Sequence, residues 1–182
     1  MRIVGGKYKG RVLVQIKNEK IRPTSDMARE SIFNILQNQI YGVDFLDLFC
    51  GTGAMGIEAL SRGAARVTFN DASRESIALL KKNLEKLNVD EDYKVCNYDA
   101  LTLLRNGGDY DMIYIDPPYK TDLGIKSLNL VSGALNDDGI VIFEDEKPFN
   151  GTVDGLVVYD SRKYGRVHLT FFRKVSEQPK GE

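Results

Sequence analysis

Asp116-Pro117-Pro118-Tyr119 sets a carboxylate and an aromatic ring on either side of two prolines, directly after the apolar run Met112-Ile113-Tyr114-Ile115. Proline fixes φ, so both groups would be held rigidly where a strand ends. Such a turn suits methyl transfer to an aromatic amine, whose lone pair is delocalised into its ring. Hydrogen bonds from the amine protons to Asp116 and to the carbonyl of Pro117 would favour the more tetrahedral, nucleophilic nitrogen. The prolines would preorganise these acceptors for in-line transfer, and Tyr119 would offer a face for a base to stack on. This chemistry requires no metal and no covalent intermediate. The bland alternative is a strand-exit turn with a tucked aromatic.

About seventy residues earlier, Asp47-Leu48-Phe49-Cys50-Gly51-Thr52-Gly53-Ala54-Met55-Gly56 carries G-x-G-x-x-G. The glycines allow a tight turn, close approach of a ligand to the backbone, and close packing of the following helix on a sheet. This spacing is shared with dinucleotide sites and does not choose the cofactor. Asp71, at the end of the next strand, can accept hydrogen bonds from ribose hydroxyls, and serves either cofactor class. Asp47 discriminates: a carboxylate just before the turn opposes a pyrophosphate but suits a ligand with an ammonium and a sulfonium, as in S-adenosylmethionine (SAM). Phe49 and Thr52 flank the same turn. Asp99-Ala100 would reach an adenine edge, and Asp99 could also cap a helix. Cys50 reads as a small packing residue.

These residues need a scaffold of alternating strands and helices. Strands are expected at 44–49, 66–70, 94–97, 110–115 and 140–143. Helices are expected at 54–62, around 101–104, at 123–135, and after Ser73, where Ile77, Leu80, Leu84 and Leu87 repeat at helical spacing. That rhythm argues for an α/β fold with a parallel sheet covered on both faces. A closing antiparallel pair, 156–159 and 167–172, would turn around Tyr164-Gly165. Ahead of the sheet, Arg2-Ile3-Val4 and residues 11–16 flank a Gly/Lys-rich turn and read as a β-hairpin. A helix should start at Ser25 or Asp26, with Ala28, Ile32, Ile35 and Leu36 on one face.

The 182 residues fit one domain of ordinary soluble composition, 42% hydrophobic and 28% charged. No apolar run suits a bilayer span or a signal peptide, so a cytoplasmic location is expected. Two cysteines and one histidine argue against a disulfide framework and a metal site. Net charge is −1, but residues 1–25 hold seven basic side chains against Glu19 alone, a local +6 that leaves −7 for the rest. Such asymmetry suggests a polyanion-binding arm on an acidic body.

The chain resembles the RsmD family, bacterial guanine-N2 methyltransferases of small-subunit ribosomal RNA. The matching stretches are Arg2 to Gly6, Arg22-Pro23-Thr24-Ser25-Asp26, Arg29 to Leu36, Leu46 to Gly56, Glu58 to Ala64 and Asp116 to Tyr119. The resemblance implies a Rossmann-like class I SAM-dependent methyltransferase fold: a seven-stranded, mostly parallel sheet with an antiparallel edge, plus an N-terminal β-hairpin used on RNA. The expected organisation is an RNA-binding hairpin at 1–22, a methyltransferase domain at 23–176 and a flexible tail at 177–182. SAM would lie near Asp47, Phe49, Gly51, Thr52, Gly53, Asp71, Asp99 and Ala100, with the guanine amine near Asp116, Pro117, Pro118 and Tyr119. RNA would meet Arg2, Lys7, Lys9, Arg11 and Arg22. The expected partner is 16S ribosomal RNA or a small-subunit assembly intermediate, with no membrane and no metal. Asp71 stands where the family commonly has a longer Glu, and the separate roles of Arg22, Thr24 and Arg29 stay unassigned. Rival readings are an amino methyltransferase acting on DNA adenine or cytosine, a protein glutamine methyltransferase, a nicotinamide dehydrogenase, and a non-catalytic RNA-binding module with a methyltransferase fold.

Overall fold

A computed structural model describes residues 1–15 and 26–175. The chain divides into two compact units, Met1–Ala100 and Leu101–Glu182. Arg22, the Arg-Pro-Thr segment, the expected boundary at 22/23 and the expected tail lie outside the described residues.

In the first unit, α1 (Asp26–Ile35) is followed by β1 (Asp44–Asp47), α2 (Ala54–Ser61), β2 (Arg66–Asn70), α3 (Arg74–Leu87) and β3 (Asp92–Cys96). β1 and β2 are buried along nearly their whole length, as parallel strands covered on both faces require. All eight residues of α2 are buried. Gly56 permits this, because a Cβ there would lie 2.2 Å from the Phe69 ring. α3 shows its sequence signals in full. The Ser73 hydroxyl accepts from the Ser76 N–H, Asn88 ends the helix at φ 50°, and Ile77, Leu80, Leu84 and Leu87 are buried.

The second unit is reached through α4 (Ala100–Arg105), then runs β4 (Tyr110–Ile115), α5 (Leu123–Val131), β5 (Leu135–Asp145), β6 (Leu156–Tyr164) and β7 (Val167–Lys174). The helix expected to reach Leu135 stops at Val131, and Leu135 opens β5 instead. Leu128, Val131, Ala134 and Leu135 are all buried, so hydrophobic spacing gave no stop signal. The seven strands follow the order β3-β2-β1-β4-β5-β7-β6. β1–β2–β3 and β4–β5 pair parallel, while β7 is antiparallel to both β5 and β6. This is the mostly parallel sheet with an antiparallel edge.

Among the described residues the N-terminal hairpin keeps one antiparallel bridge, Arg2 to Val12. The Ile3 N–H still donates to the Arg11 carbonyl at 2.9 Å and the Gly10 N–H to Ile3 at 2.8 Å. What holds this arm is the rest of its unit. The Lys7 N–H donates to the Ser61 carbonyl (2.8 Å), the Tyr8 N–H to the Ser61 hydroxyl (2.9 Å), and that hydroxyl to the Gly5 carbonyl (2.5 Å). A Cβ on Gly6, at φ 70°, would stand 1.7 Å from the Ser61 carbonyl oxygen. Gly5-Gly6 and Leu60-Ser61-Arg62 are therefore two halves of one contact, more than fifty residues apart in sequence.

Candidate active site

The glycine turn is held by carboxylates at two strand ends. Asp47, only 2% exposed at the end of β1, accepts from the Gly56 N–H at 2.9 Å. Asp71, just past β2, accepts from the Gly51 N–H at 2.9 Å and the Ser73 N–H at 2.8 Å. Gly51 has φ 51° and Gly53 φ 84°, a region costly for side-chain-bearing residues. A Cβ at Gly53 would meet Leu80 at 2.3 Å, whereas one at Gly51 would enter open space. Gly53 is thus required by packing and backbone together, Gly51 by backbone alone.

Burial pushes the Asp47 pKa up to about 7, and the Asp71 charge adds to this against the Gly56 hydrogen bond. The carboxylate is thus a buried group whose ionised form is stabilised by too few donors, and an added cation would favour it. Burial, then Asp47 and Asp71, push the Cys50 thiol far up, which makes it a packing group rather than a nucleophile.

Asparagines that the motif reading passed over complete the cradle. Buried Asn70 donates to the Leu48 and Tyr98 carbonyls, both at 3.1 Å, and accepts from the Tyr98 N–H at 3.2 Å, tying the ends of β1, β2 and β3. Asn97 donates to the carbonyls of Asp71 (2.7 Å) and Ala72 (3.1 Å). Buried Asn83 of α3 accepts from the Val14 N–H (2.7 Å) and donates to the carbonyls of Val14 (3.2 Å) and Thr52 (2.9 Å), joining arm and glycine turn. Spacing could not reveal them, because each serves backbone groups far away in sequence. Phe49 is half-buried beside the turn, Asp99 is exposed, and Ala100 is buried at the start of α4. The structure thus brings Asp47, Gly51, Thr52, Gly53 and Asp71 into one cradle, with Asp99 and Ala100 at the exit from β3.

In the second unit, β4 buries Met112, Ile113, Tyr114 and Ile115 and delivers Asp116 at its end. Asp116, Pro117 and Tyr119 are half-buried and Pro118 is exposed. The Thr121 hydroxyl donates to the Pro118 carbonyl at 2.8 Å, and Lys120 adopts φ 63°, which closes the turn into α5. Gly124, at the first turn of α5, lets Pro117 and Phe143 pack close: a Cβ would lie 2.9 and 2.8 Å from them. The turn is thus braced from behind by the start of α5 and by Phe143.

Three of the basic residues expected to meet RNA, Arg2, Lys7 and Arg11, have local partners. Lys7 pairs with Asp90 and, at 2.9 Å, with Glu91, and these carboxylates raise its pKa. The Arg11 guanidinium donates to the Leu87 carbonyl at 3.0 Å, and Arg2 lies 3.7 Å from Asp26. Lys9 is exposed. Arg29, unassigned from sequence, is fully buried and donates to the Arg2 carbonyl and to Asp26, both at 2.7 Å. Buried Glu58 accepts from the Val4 N–H at 2.8 Å and from Arg62 at 2.7 Å. Among the described residues no cluster of three His, Cys, Asp or Glu could hold a metal, and no helix is long and apolar enough to cross a membrane.

A seven-stranded sheet of this order, with a glycine turn after its first strand, is the fold of the SAM-dependent methyltransferases. Residues 1–173 match the family described as Conserved hypothetical protein 95, and the chain belongs to that family, the RsmD family expected from the sequence. It is 34% identical over 182 residues to YlbH of Bacillus subtilis, covering 96% of this chain and 99% of YlbH. It is 36% identical over 149 residues to ribosomal RNA small subunit methyltransferase D of Escherichia coli K12, covering 80% and 75%. The solved structure of YhhF from Escherichia coli superposes with a TM-score of 0.86 at 30% identity, covering 96% of this chain and 98% of YhhF.

Proposed function

We propose that this protein transfers a methyl group from SAM to the exocyclic N2 of a guanine in small-subunit ribosomal RNA. The observation that carries the reading is the braced Asp116-Pro117-Pro118-Tyr119 turn at the end of a buried strand, in a family whose relatives include ribosomal RNA small subunit methyltransferase D. The cradle residues fit the cofactor. Buried Asp47 gains from a nearby ammonium, Asp71 has acceptor sites beyond its two backbone donors, and Gly51 leaves the backbone approachable.

When bound, SAM supplies an electrophilic methyl group on a positively charged sulfur. Asp47 and Asp71 hold the glycine turn, and Asp71 is placed to meet the ribose hydroxyls. Asp116 accepts a hydrogen bond from the guanine amine and orients its lone pair. Tyr119 stacks on the base, which must leave its own stack at a cost of about a few kcal/mol if paired. Asp116 does not take a proton beforehand, since the amine proton becomes acidic only once the nitrogen is alkylated. The exposed arm residue Lys9 contacts an RNA phosphate, while Arg2, Lys7 and Arg11, each engaged within its own unit, hold the arm in place.

The test is mass-spectrometric nucleoside analysis of 16S ribosomal RNA from cells lacking the protein, complemented with the parent chain or with Asp116→Ala. Parent complementation should restore N2-methylguanosine. Groups acting on protons in a transition state typically contribute ~10²–10⁴-fold, so Asp116→Ala should lower turnover by about that amount with SAM affinity little changed. If the N2-methylguanosine content is the same with and without the protein, the substrate assignment is wrong. Near-normal turnover by Asp116→Ala at saturating RNA removes the role given to Asp116.

A further inference from the structure

The β6–β7 hairpin carries Arg162, Lys163, Arg166, Arg173 and Lys174 against Asp160 alone, in a chain whose net charge is −1. Two of these charges are spoken for locally: Arg162 pairs with Asp160 at 3.1 Å, and Lys174 donates to the Ser132 and Leu135 carbonyls at 3.1 and 2.6 Å. Lys163 and Arg166, at the tip, are exposed and join no ion pair among the described residues. The N-terminal arm is different, since Lys7 and Arg11 are already engaged within their own unit. Tyr159 is 39% exposed on β6, with the Arg173 guanidinium 5.3 Å from its ring centroid. Cations interleaved with aromatics are the usual make-up of a single-strand nucleic-acid surface.

Strand register places this tip. Ile115 pairs with Phe143, Phe143 with Thr170, and Thr170 with Ser161, forming one row across β4, β5, β7 and β6. Beyond that row, β4 delivers Asp116, while Asp145 pairs with His168 and His168 with Lys163. The acceptor turn and the hairpin tip therefore emerge at the same end of the sheet. Three strand spacings, about 14 Å, separate Ile115 from Ser161 along the row. The end of β5 between them carries Asp145, with Glu146 and Lys147 following. Charged side chains on an edge strand also discourage edge-to-edge pairing. That explains charge along β6, but not an Arg in the turn beyond it or the placement beside Asp116.

We propose that the β6–β7 tip, through Lys163 and Arg166, is a second RNA-contact surface that grips phosphates flanking the base presented to Asp116. This rests on the RNA-substrate reading above. Each phosphate contact releases counterions, so log affinity falls with log salt by about 0.7 per contact on single strands and about 0.9 on a duplex.

The experiment measures binding of the full chain to in vitro transcribed 16S ribosomal RNA across a salt series, with SAM affinity by calorimetry as the fold control. Lys163→Ala/Arg166→Ala should weaken RNA binding and flatten the slope by about 1.4 to 1.8, the sum of two contacts, with SAM affinity unchanged. Arg162→Ala should flatten it less, because Asp160 holds that guanidinium. Lys163→Glu should weaken binding more than Lys163→Ala, a dependence on charge sign that a packing role would not produce. An unchanged slope in the double variant, with salt-dependent binding by the parent, overturns this inference and leaves the RNA reading standing. A parent chain that binds the RNA without salt dependence, or not at all, overturns both.

Discussion

Asp47 is a carboxylate held where water cannot reach it, with one backbone donor and a pKa pushed up to about 7. The sequence located it inside an apolar strand and gave it a charge-matching role. Its tie to Gly56 could not be seen, because nothing in the spacing says which way the side chain turns. The elevated pKa has two measurable consequences. The folded value lies above the unfolded 3.8, so the group's contribution to stability is complete below 3.8 and is lost as pH rises to about 7. Asp47→Asn keeps an oxygen for the Gly56 N–H but has no proton to lose. Its melting temperature relative to the parent should therefore improve between pH 4 and pH 7. Cofactor binding should show the opposite trend. If the ionised form meets the ammonium of SAM, the parent's affinity rises with pH through about 7, and Asp47→Asn binds more weakly with a flat profile. Calorimetry from pH 5.5 to 8.5 reads this directly, and a flat parent profile would remove Asp47 from contact with the ammonium.

Elements with a strong local rhythm were legible. β2 and β4 start and stop where their apolar runs do, and α3 has its Ser73 cap and its four-leucine-type face. The end of α5 was not, because the apolar residues on both sides of Ser132-Gly133 fit a helix as well as a strand. The arm was legible as a hairpin but not as a docked one. Its partners are Ser61, Asn83, Leu87, Asp90 and Glu91, which no local pattern connects to residues 5–14. Gly6 is the pivot of that docking, combining φ 70° with the 1.7 Å approach to Ser61. Gly6→Ala should therefore detach the arm from α2 rather than merely strain a turn. Left-handed backbone alone costs a non-glycine residue roughly 1–2 kcal/mol, and the collision adds to it. The expected result is fast hydrogen exchange at the Lys7 and Tyr8 amides, with protection of α3 amides retained. Parent-like protection at Lys7 and Tyr8 in the variant would show that Ser61 can give way.

For the whole molecule, the sequence presented a basic arm on an acidic body. The structure shows that part of this asymmetry is internal complementarity: Lys7 against Asp90 and Glu91, Arg2 against Asp26, and the buried Arg29 and Glu58 beside them. Charge counted along a chain cannot separate groups that pair with each other from groups kept for a partner. With a net charge of −1 there is no overall field to draw in a polyanion. On the proposed reading, RNA affinity comes from local exposed cations, and SAM affinity from a buried carboxylate and backbone groups. Ionic strength should therefore separate the two. Three phosphate contacts on a single strand give a slope of about −2, so RNA affinity should fall roughly tenfold to twentyfold between 50 and 200 mM salt. SAM affinity should change by less than about twofold, because buried charges are little screened. Both are measured on the same preparation, SAM by calorimetry and RNA by filter binding. If SAM affinity fell as steeply as RNA affinity, the cofactor's charge would have to be met by exposed side chains, and Asp47 would lose its place at the centre of the site.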